Sequence, residues 1–494
     1  MNPNRQSHAA LSREELIALV AAQAAEIARQ AAEIAALKAQ FVELERRLAL
    51  NSTNSGKPPS SDGLNKPPRQ ERTRSTREAS GRRSGGQKGH KGWTLEQVAV
   101  PDSIVEHFPS SCTACGAAVT PAMSSGHSAR QVFDLPAPRP LVVTEHRAHD
   151  CVCGRCGAHS RAAFPGGVNA PVQYGPRIAA FVIYLLHHQL LPEGRLAELM
   201  ADLFGVKLVA ATIARISRNC AARAQDFVAA VRDLVAGAAV KNMDETGFRI
   251  GGATQWLHVA CTAFLTFYRV CAKRGSLLAN VTGIVVHDHW KPYYTMPNVR
   301  HALCNAHHLR ELTALIDIEK EEWARKMHVV LRRASHAVNL ARERDCVLKK
   351  RLIEAFERRF DAIVAQGLAF HEAQAPLRSA RSVPPAAESK GGNRRGRKPR
   401  RTGHNLLLRL AGRKPDVLRF LNDPDVPFTN NQAERDARMM KVKQKISGGF
   451  RSLEGAMDFA VVRSFISTAK KQGWNVIEAL TQDPEALAKA LPTI

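Results

Sequence analysis

The sequence predicts a multidomain α+β protein. A length of 494 residues exceeds one ordinary core. Heptad-spaced apolar residues open the chain, and short β-rich segments in its middle are flanked by helical patterns. The predicted order is a coiled-coil helix, a basic linker, a cysteine-knuckle module, a helix-turn-helix-like module and a mixed α/β domain with a helical insertion before its last helix. Predicted boundaries are 1–50, 51–100, 101–165, 166–235, 236–318, 319–428 and 429–494.

The charge balance points to a polyanionic partner. Lys and Arg number 71 against 45 Asp and Glu, which gives a formal net charge of +26. Because such an excess repels itself in a compact state, we expect it to attract nucleic acid. A membrane-surface protein would need an anchor or a lipidation site, and neither is visible. Without an apolar signal or spanning segment, we expect a soluble cytoplasmic protein with no membrane partner.

The first helix is predicted between Leu16 and Leu48, where seam residues alternate at spacings of four and three. We expect it to pair with a second copy of the chain, giving a homodimer or higher oligomer. A lone amphipathic helix packed on its own domain is the alternative. The seam positions are Leu16, Val20, Gln23, Ile27, Gln30, Ile34, Leu37, Phe41, Leu44 and Leu48.

Two further segments are candidates for DNA contact. Residues 51–92 are rich in Ser, Gly, Pro and basic residues, which predicts a flexible basic arm or a solvated linker. A helix at Arg195 to Phe204, a turn containing Gly205 and a second helix at Val209 to Ile216 give a helix-turn-helix outline. Any helical hairpin shares this outline. The basic run Arg394 to Arg401, inside the helical insertion, is expected to be mobile.

Two Cys-X-X-Cys pairs, each followed by Gly, predict one structural zinc site. Such a turn points two thiolates at one ion, and four thiolates close a tetrahedral site without an open position for catalysis. Cys151 could replace Cys153, and His107 and His149 are spare donors. Two unrelated reduced pairs are the alternative. The predicted ligands are Cys112, Cys115, Cys153 and Cys156.

Three carboxylates are the candidate catalytic and metal-binding residues. Asp244 follows the first β-rich segment, Ala239 to Met243, and Asp288 directly follows Gly283 to His287. Glu434 lies in the first turn of a late helix. Two strand-end carboxylates and one on a helix can converge on a pair of divalent cations, and Mg²⁺ prefers such oxygen ligands. The remaining predicted strands are Trp256 to Thr262, Thr266 to Val270 and Val299 to Cys304.

Each carboxylate also has a structural interpretation. Asp244 could be a turn residue at a strand end, Asp288 a cap for a short helix near Trp290, and Glu434 a capping-box partner of Asn431. The order sheet, sheet, insertion, helix favours the catalytic interpretation. So does the cationic stripe on the helix of Glu434, whose alternative is a solvated charged face. The predicted DNA contacts of this stripe are Arg435, Arg438, Lys441 and Lys445.

At these residues the sequence resembles the transposases of the insertion-sequence-sixty-six family, and the resemblance runs nearly from end to end. Each motif alone is weak, and the set is specific. Besides the heptads and the cysteine pairs, the motifs are Asn54-Ser55-Gly56-Lys57-Pro58-Pro59-Ser60-Ser61-Asp62, Gly85-Gly86-Gln87-Lys88-Gly89-His90, Met243-Asp244-Glu245-Thr246, Val286-His287-Asp288, Cys304-Asn305-Ala306-His307 and Asn430-Asn431-Gln432-Ala433-Glu434-Arg435.

The resemblance implies an RNase H-like catalytic domain with an Asp, Asp, Glu triad at Asp244, Asp288 and Glu434. It implies a DNA transposase of the bacterial cytoplasm and nucleoid that binds double-stranded element ends and uses two Mg²⁺ or Mn²⁺ ions for cleavage and strand transfer. Small accessory proteins of the same element are implied partners. The alternatives are an inactive DNA-binding regulator and a structure-selective nuclease. His307 and His308 could adjoin the metal site, but a position on a helix surface is favoured, and they are left outside the triad.

Overall fold

The computed structural model describes residues 12–50, 54–55, 96–133, 141–156, 158–374 and 400–492. The predicted basic linker, the motif Gly85 to His90 and most of the basic run Arg394 to Arg401 lie outside these ranges. The chain divides into two compact units. Unit 1 comprises residues 1–69, 170–196 and 209–494, and unit 2 comprises residues 70–169 and 197–208.

Unit 1 begins with one long helix, α1 (Arg13–Ala49), as the heptad spacing predicts. Ser12 caps its start by accepting the backbone N–H of Glu15, while the Glu15 carboxylate accepts the backbone N–H of Ser12. The apolar side chains of the predicted seam are exposed along the helix, from Leu16 to Leu48. Helix α1 therefore presents an apolar stripe to its surroundings.

Unit 2 holds both cysteine pairs in short local structures. The first pair lies in a turn closed by a bridge between Ser111 and Ala118. The second lies between two short antiparallel strands, β1 (Asp150–Val152) and β2 (His159–Arg161). The side chains of both strands are exposed.

Two helices occur along the chain where the helix-turn-helix outline was predicted, with residues 197–208 in unit 2 and the flanking residues in unit 1. Helix α3 (Glu193–Phe204) ends before Gly205, which has a left-handed φ of 68°, and α4 (Ala210–Arg223) follows. Within unit 1, α4 buries Ile213, Ser217 and Ala221. The remaining helices of this region are α2 (Pro176–Ile183) and α5 (Gln225–Gly237).

Among the described residues of unit 1, five strands form one mixed sheet in the order β5-β4-β3-β6-β7. Strands β3, β4 and β5 pair antiparallel, whereas β6 pairs parallel with β3 and with β7. All five lie where β-rich segments were predicted. Their bounds are β3 (Val240–Ile250), β4 (Ala253–Cys261), β5 (Thr266–Cys271), β6 (Gly283–His287) and β7 (Val299–Leu303).

Strand β3 is longer than predicted, because it continues past Met243 as one arm of a hairpin with β4. The turn residues Gly251 and Gly252 both have positive φ, which suits a tight two-residue hairpin. Asp244 therefore lies inside a strand, opposite Val259, and the prediction that the segment ends at Met243 was wrong. Gly283 begins β6 at φ 75°, where a Cβ atom would lie 2.6 Å from the Ala239 carbonyl oxygen.

Helices cover both faces of the sheet. One core packs Val285 and Met243 against α5 and the later helices. A second core packs Ile284 and Val286 against α6 (Asn305–Ala314) and the insertion. The insertion helices are α7 (Glu322–Glu343), α8 (Lys350–Glu372), α9 (Thr402–Gly412), α10 (Lys414–Val417) and α11 (Arg419–Asn422).

The C-terminal helices complete the sheet. Helix α13 (Leu453–Lys471) lies along edge strand β5, where Ser464 and Thr468 accept the backbone N–H groups of Tyr268 and Thr266. These bonds satisfy donors that an open edge would leave unpaired. The other C-terminal helices are α12 (Asn431–Ser447), α14 (Val476–Thr481) and α15 (Pro484–Lys489).

The structure confirms the coarse prediction of a mixed α/β protein with a helical insertion between the sheet and the helix of Glu434. Within the described ranges, no helix combines the length and the apolar composition needed to cross a bilayer.

Candidate active site

Two of the three predicted carboxylates lie on neighbouring parallel strands at the same level. Asn242 of β3 pairs with Val286 of β6, so Asp244 and Asp288 both lie two residues beyond that pair. Adjacent strands lie about 4.8 Å apart. The register of the sheet therefore brings Asp244 and Asp288 side by side.

The same register continues to the next strand. His287 of β6 pairs with Leu303 of β7, so Asp288 lies level with Cys304, the residue between β7 and α6. The backbone N–H of Cys304 donates to the His287 carbonyl oxygen at 2.9 Å. Cys304 thus takes the third position along this edge.

Asn430 fixes the start of α12 to the sheet. Its Nδ2 donates to the Met243 carbonyl oxygen at 2.7 Å, and its Oδ1 accepts from Asn242 Nδ2 at 2.8 Å. Its backbone N–H donates to Cys304 Sγ at 3.1 Å. The Asn430 side chain is buried. Its two side-chain bonds hold the helix of Glu434 against the strand of Asp244, and its backbone bond ties the helix to Cys304.

Glu434 is not a capping-box residue, contrary to the structural interpretation of its spacing. The N-cap of α12 is Asn430, which makes no side-chain capping bond because its side chain is bonded to the strand. The Glu434 carboxylate instead lies 3.6 Å from Cys304 Sγ, 3.8 Å from His307 Nδ1 and 3.6 Å from a terminal nitrogen of Arg310. We call Asp244, Asp288 and Glu434 the acidic edge.

The negative charges of the acidic edge affect the pKa of Asp244. Burial raises the pKa of Asp244 well above its ordinary value, and the charges of Glu245, Asp288 and Glu434 raise this pKa further. The backbone N–H of Glu245 donates to Asp244 Oδ1 at 2.9 Å and opposes the shift. Asp244 therefore resists ionisation unless positive charge is supplied beside it.

Asp288 lies at the acidic edge and also accepts a hydrogen bond within a local turn. Its Oδ1 accepts the backbone N–H of Trp290 at 3.0 Å, and His289 between them has φ 74°. The residue that caps the following 3₁₀ turn, Lys291–Thr295, is Trp290 and not Asp288. The helix-cap interpretation of Asp288 was therefore wrong in its detail, although Asp288 does stabilise the turn.

A fourth carboxylate, Glu245, holds this turn from the other face of the sheet. It accepts the Tyr293 hydroxyl at 2.6 Å and pairs with Arg274 at 2.6 Å. The Arg274 guanidinium lies 4.2 Å from the ring centroid of Trp290, within cation–π range. Sequence reasoning gave Glu245 no role, although its alternation with Asp244 along β3 places it on the opposite face.

His308 is not a surface residue of α6, contrary to the prediction, and His307 is only partly exposed. His308 is buried and hydrogen-bonds to Asn305 through Nδ1 at 3.0 Å. His307 contacts Glu434, and burial lowers its pKa while Glu434 and Asp288 raise it. Burial and Glu434 raise the pKa of the Cys304 thiol to about 12. His307 and Cys304 thus belong to the surroundings of Glu434.

The donor set suits hard divalent cations, since three carboxylates supply oxygen ligands and negative charge. Across the described residues, the grouping of three donors within 4.8 Å of one another is Cys304, His307 and Glu434. The three carboxylates of the acidic edge do not all lie within that distance of one another. Two ions about 4 Å apart need ligands spread over such a distance.

The predicted cationic stripe lies on the exposed face of α12. Arg435, Arg438, Lys441 and Lys445 are all exposed, whereas Ala433, Ala437 and Met440 are buried. Lys441 donates to the Gly247 carbonyl oxygen, which ties it to β3. The other three residues extend along one side of the helix, next to Glu434.

The cysteine pairs of unit 2 have local thiolate-stabilising geometry. Backbone N–H groups of Ala114 and Cys115 lower the pKa of Cys112, and those of Arg155 and Cys156 lower the pKa of Cys153. In the described part of unit 2, no three of these sulfurs lie within 4.8 Å of one another. Each turn fits one half of a zinc site, and their joining stays a prediction.

Comparison with known proteins relates this chain to a protein family. Residues 171–458, more than half of the chain, match the model described as "Transposase IS66 family". Residues 2–96 match a "Family of unknown function (DUF6444)". An "Uncharacterized protein y4jO" of Sinorhizobium fredii (strain NBRC 101917 / NGR234) is 36% identical over 96 residues, which cover 18% of this chain and 30% of that protein.

Proposed function

Because the chain belongs to the IS66 family of transposases, we propose that it cuts and joins DNA with Mg²⁺ or Mn²⁺ ions held by Asp244, Asp288 and Glu434. The observation that carries this proposal is geometric: the strand register places Asp244 beside Asp288, and Asn430 fixes the start of the helix of Glu434 to the same strand. Buried like charges brought together without a cation are costly, and such sites are characteristic of catalysis.

The architecture supports an RNase H-like catalytic domain. A mixed sheet places two carboxylates at adjacent strands, and the helix carrying the third returns after a helical insertion. Glu434 is far from Asp244 and Asp288 in the chain. Asn430 brings its helix to the sheet, because the bonds of Asn430 to β3 fix where α12 begins. The family match spans both the sheet and α12.

The roles of the residues follow from their positions. Two divalent ions, when bound, activate the attacking oxygen and stabilise the leaving oxygen of a phosphodiester. Asp244 and Asp288 are held rigidly by strand register and by the Trp290 turn. Arg310 lies beside Glu434 and can neutralise phosphate oxygens that approach it. A water first hydrolyses the phosphodiester at the element end and frees a 3′-hydroxyl. That hydroxyl then attacks a target phosphodiester and displaces the 3′-oxygen of the target strand, with no covalent protein intermediate.

The DNA contacts are assigned to surfaces outside the acidic edge. The exposed cations of α12 would follow the phosphate backbone next to Glu434. The segment from Arg195 to Ile216, predicted as a helix-turn-helix, would read element ends. One Zn²⁺ on Cys112, Cys115, Cys153 and Cys156 would stabilise unit 2, since each pair already forms a thiolate-stabilising turn.

The exposed stripe of α1 would mediate self-association. Its apolar side chains repeat over the whole helix, and pairing with a second α1 would bury them. A homodimer or higher oligomer would bring two acidic edges to the two ends of one element. Small accessory proteins of the element are further proposed partners.

The test is a gel assay with labelled element ends, Mg²⁺ and a target plasmid. We expect Asp288→Asn to lose cleavage and joining by at least about 10³-fold while retaining end binding. The matched control is Asp425→Asn, at an exposed acidic residue. Joining by Asp288→Asn would refute the assignment. Binding without nicking by the wild type would support a regulator, and hydrolysis without joining would support a nuclease.

A further inference from the structure

We propose that Cys304, His307 and Glu434 form a second cation site, which takes a borderline metal ion of the zinc class and shares Glu434 with the acidic edge. The inference that this site inhibits catalysis rests on the proposed function. The inference that it binds zinc does not.

The three donors lie almost as close together as the ligands of a tetrahedral zinc site. Cys304 Sγ lies 3.6 Å from Glu434 Oε1, and His307 Nδ1 lies 3.8 Å from the same oxygen. All three donor atoms lie within 4.8 Å of one another. Zinc bonds of about 2.3 Å to sulfur and 2.0 Å to nitrogen or oxygen place tetrahedral ligands roughly 3.3–3.5 Å apart. Shifts of a few tenths of an ångström would bring Cys304 and His307 to these distances from Glu434.

His307 supplies the independent indication of a ligand. Its Nδ1 is buried, and it has no hydrogen-bond partner among the described residues. Burying a polar nitrogen without a partner is costly, and native proteins rarely leave such atoms unsatisfied. This nitrogen faces the Glu434 carboxylate across a gap too long for a hydrogen bond. A cation between them would satisfy both groups.

The backbone places Cys304 and His307 for joint ligation. Cys304 is the N-cap of α6, and His307 lies three residues later, a spacing that puts both side chains on one face of the helix. The backbone N–H of Asn430 already donates to Cys304 Sγ at 3.1 Å. This donor opposes the effects of burial and of Glu434 on the thiol, and a bound zinc ion deprotonates a thiol that coordinates it.

The ligand types separate two classes of ion. Mg²⁺ takes oxygen ligands, whereas sulfur and imidazole favour zinc. Cys304 and His307 can therefore hold zinc where they cannot hold Mg²⁺. Because Glu434 would belong to both sites, zinc beside Cys304 would withdraw a ligand from the acidic edge. The site would thus make the reaction sensitive to zinc.

Zinc stoichiometry tests the binding. The full chain, stripped by a chelator and kept reduced, is titrated with Zn²⁺ in the presence of a metallochromic indicator. We expect wild type to bind one more ion per chain than Cys304→Ser or His307→Ala. The control Cys346→Ser, at an exposed cysteine, should match wild type. Zinc held by unit 2 is common to all variants. His307→Ala, at a partly exposed residue, guards against misfolding of Cys304→Ser. Equal stoichiometry in folded variants overturns the proposal.

Inhibition is tested separately. DNA cleavage is measured in Mg²⁺ with and without a small excess of Zn²⁺, and the ratio is taken within each variant. We expect at least about a tenfold loss in wild type and Cys346→Ser, since zinc removes one ligand of the acidic edge. The ratio for His307→Ala should stay within about twofold of one. Equal inhibition of all variants refutes the shared-ligand inference. A wild type that binds the extra zinc but never cleaves DNA refutes the proposed function instead.

Discussion

The acidic edge of unit 1 and the cysteine pairs of unit 2 differ in how far apart their ligands lie in the chain and in what holds them. Asn242 and Asn430, which join the strand of Asp244 to the helix of Glu434, are 188 residues apart and buried. The cysteines of each pair are separated by two residues, and three of the four are exposed. In unit 1 the core positions the ligands, whereas in unit 2 a bound ion would have to position the chain.

Metal removal should therefore act on the two units in opposite ways, and this is the largest effect that we expect. Structural zinc contributes about 10–16 kcal/mol to small zinc modules, so a zinc chelator should unfold unit 2. Removing Mg²⁺ should leave unit 1 folded. Limited proteolysis would measure both outcomes through cleavage within 96–169 and within 209–374.

Cys153→Ser should imitate the chelator, while Cys346→Ser, at an exposed cysteine outside both pairs, should not. If unit 2 of the chelated protein resisted protease as well as the untreated one, the cysteine pairs would be structural thiols. The contrast between the units would then disappear.

Asn430→Ala should break the link that gives the acidic edge its shape. The substitution removes two buried side-chain hydrogen bonds and leaves Asn242 and the Met243 carbonyl without that partner. We expect the free energy of unfolding to fall by about 3 kcal/mol. Because Asn430 positions Glu434 and does not contact DNA in our proposal, kcat should fall more than KM rises.

The neighbouring residue provides the control. Asn431 is exposed at the first position of α12, so Asn431→Ala should change the stability by less than about 0.5 kcal/mol. Chemical denaturation and steady-state kinetics on both variants decide the matter. Equal effects of the two substitutions would show that Asn430 does not position the helix.

These contrasts explain what the sequence could and could not predict. Strands β4 to β7 were predictable because their apolar runs are short and bounded by turns. The full length of β3 was not predictable, because Asp244, Glu245 and Thr246 interrupt its apolar pattern. The strand continues past them because it pairs with β4 in a hairpin. The exposed face of α12 followed from helical spacing.

The detailed surroundings of Glu434 were beyond sequence reasoning for a physical reason. The contacts of Asn430 with β3, and of Cys304 and His307 with Glu434, join residues more than a hundred positions apart. No local periodicity encodes such pairs. The spacing between Asn431 and Glu434 indicated a capping box, but tertiary bonds shift the N-cap to Asn430 and engage its side chain. Local sequence patterns therefore indicated the three carboxylates as candidates but did not predict the residues that surround Glu434.

Asp244→Asn should show that the acidic edge is organised at a cost to stability. The pKa of Asp244 is raised in the folded state, so this residue stabilises the fold fully only below its ordinary pKa. That stability is lost as the pH rises through the folded-state pKa. The asparagine variant removes the half-buried charge, and at neutral pH without metal its Tm should rise by about 2–4 °C.

Thermal melting between pH 4 and pH 8, with and without Mg²⁺, measures this effect. Wild type should become less stable as the pH rises, and Mg²⁺ should restore stability at the upper end. Asp244→Asn should show a weaker response to both. A variant that melts below wild type at neutral pH without metal would mean that the Asp244 charge is already compensated.

The smallest effect is expected on the exposed stripe of α12, where solvent surrounds each charge. Arg438→Ala and Lys445→Ala should leave the fold intact and weaken DNA binding without regard to sequence. Removing one cation that neutralises a phosphate should reduce the slope of log binding constant against log salt by about 0.9. Arg351→Ala, at an exposed cation of α8, should leave the slope unchanged. If all three variants behaved alike, the stripe would be an ordinary solvated face, and the acidic edge would receive its DNA from another surface.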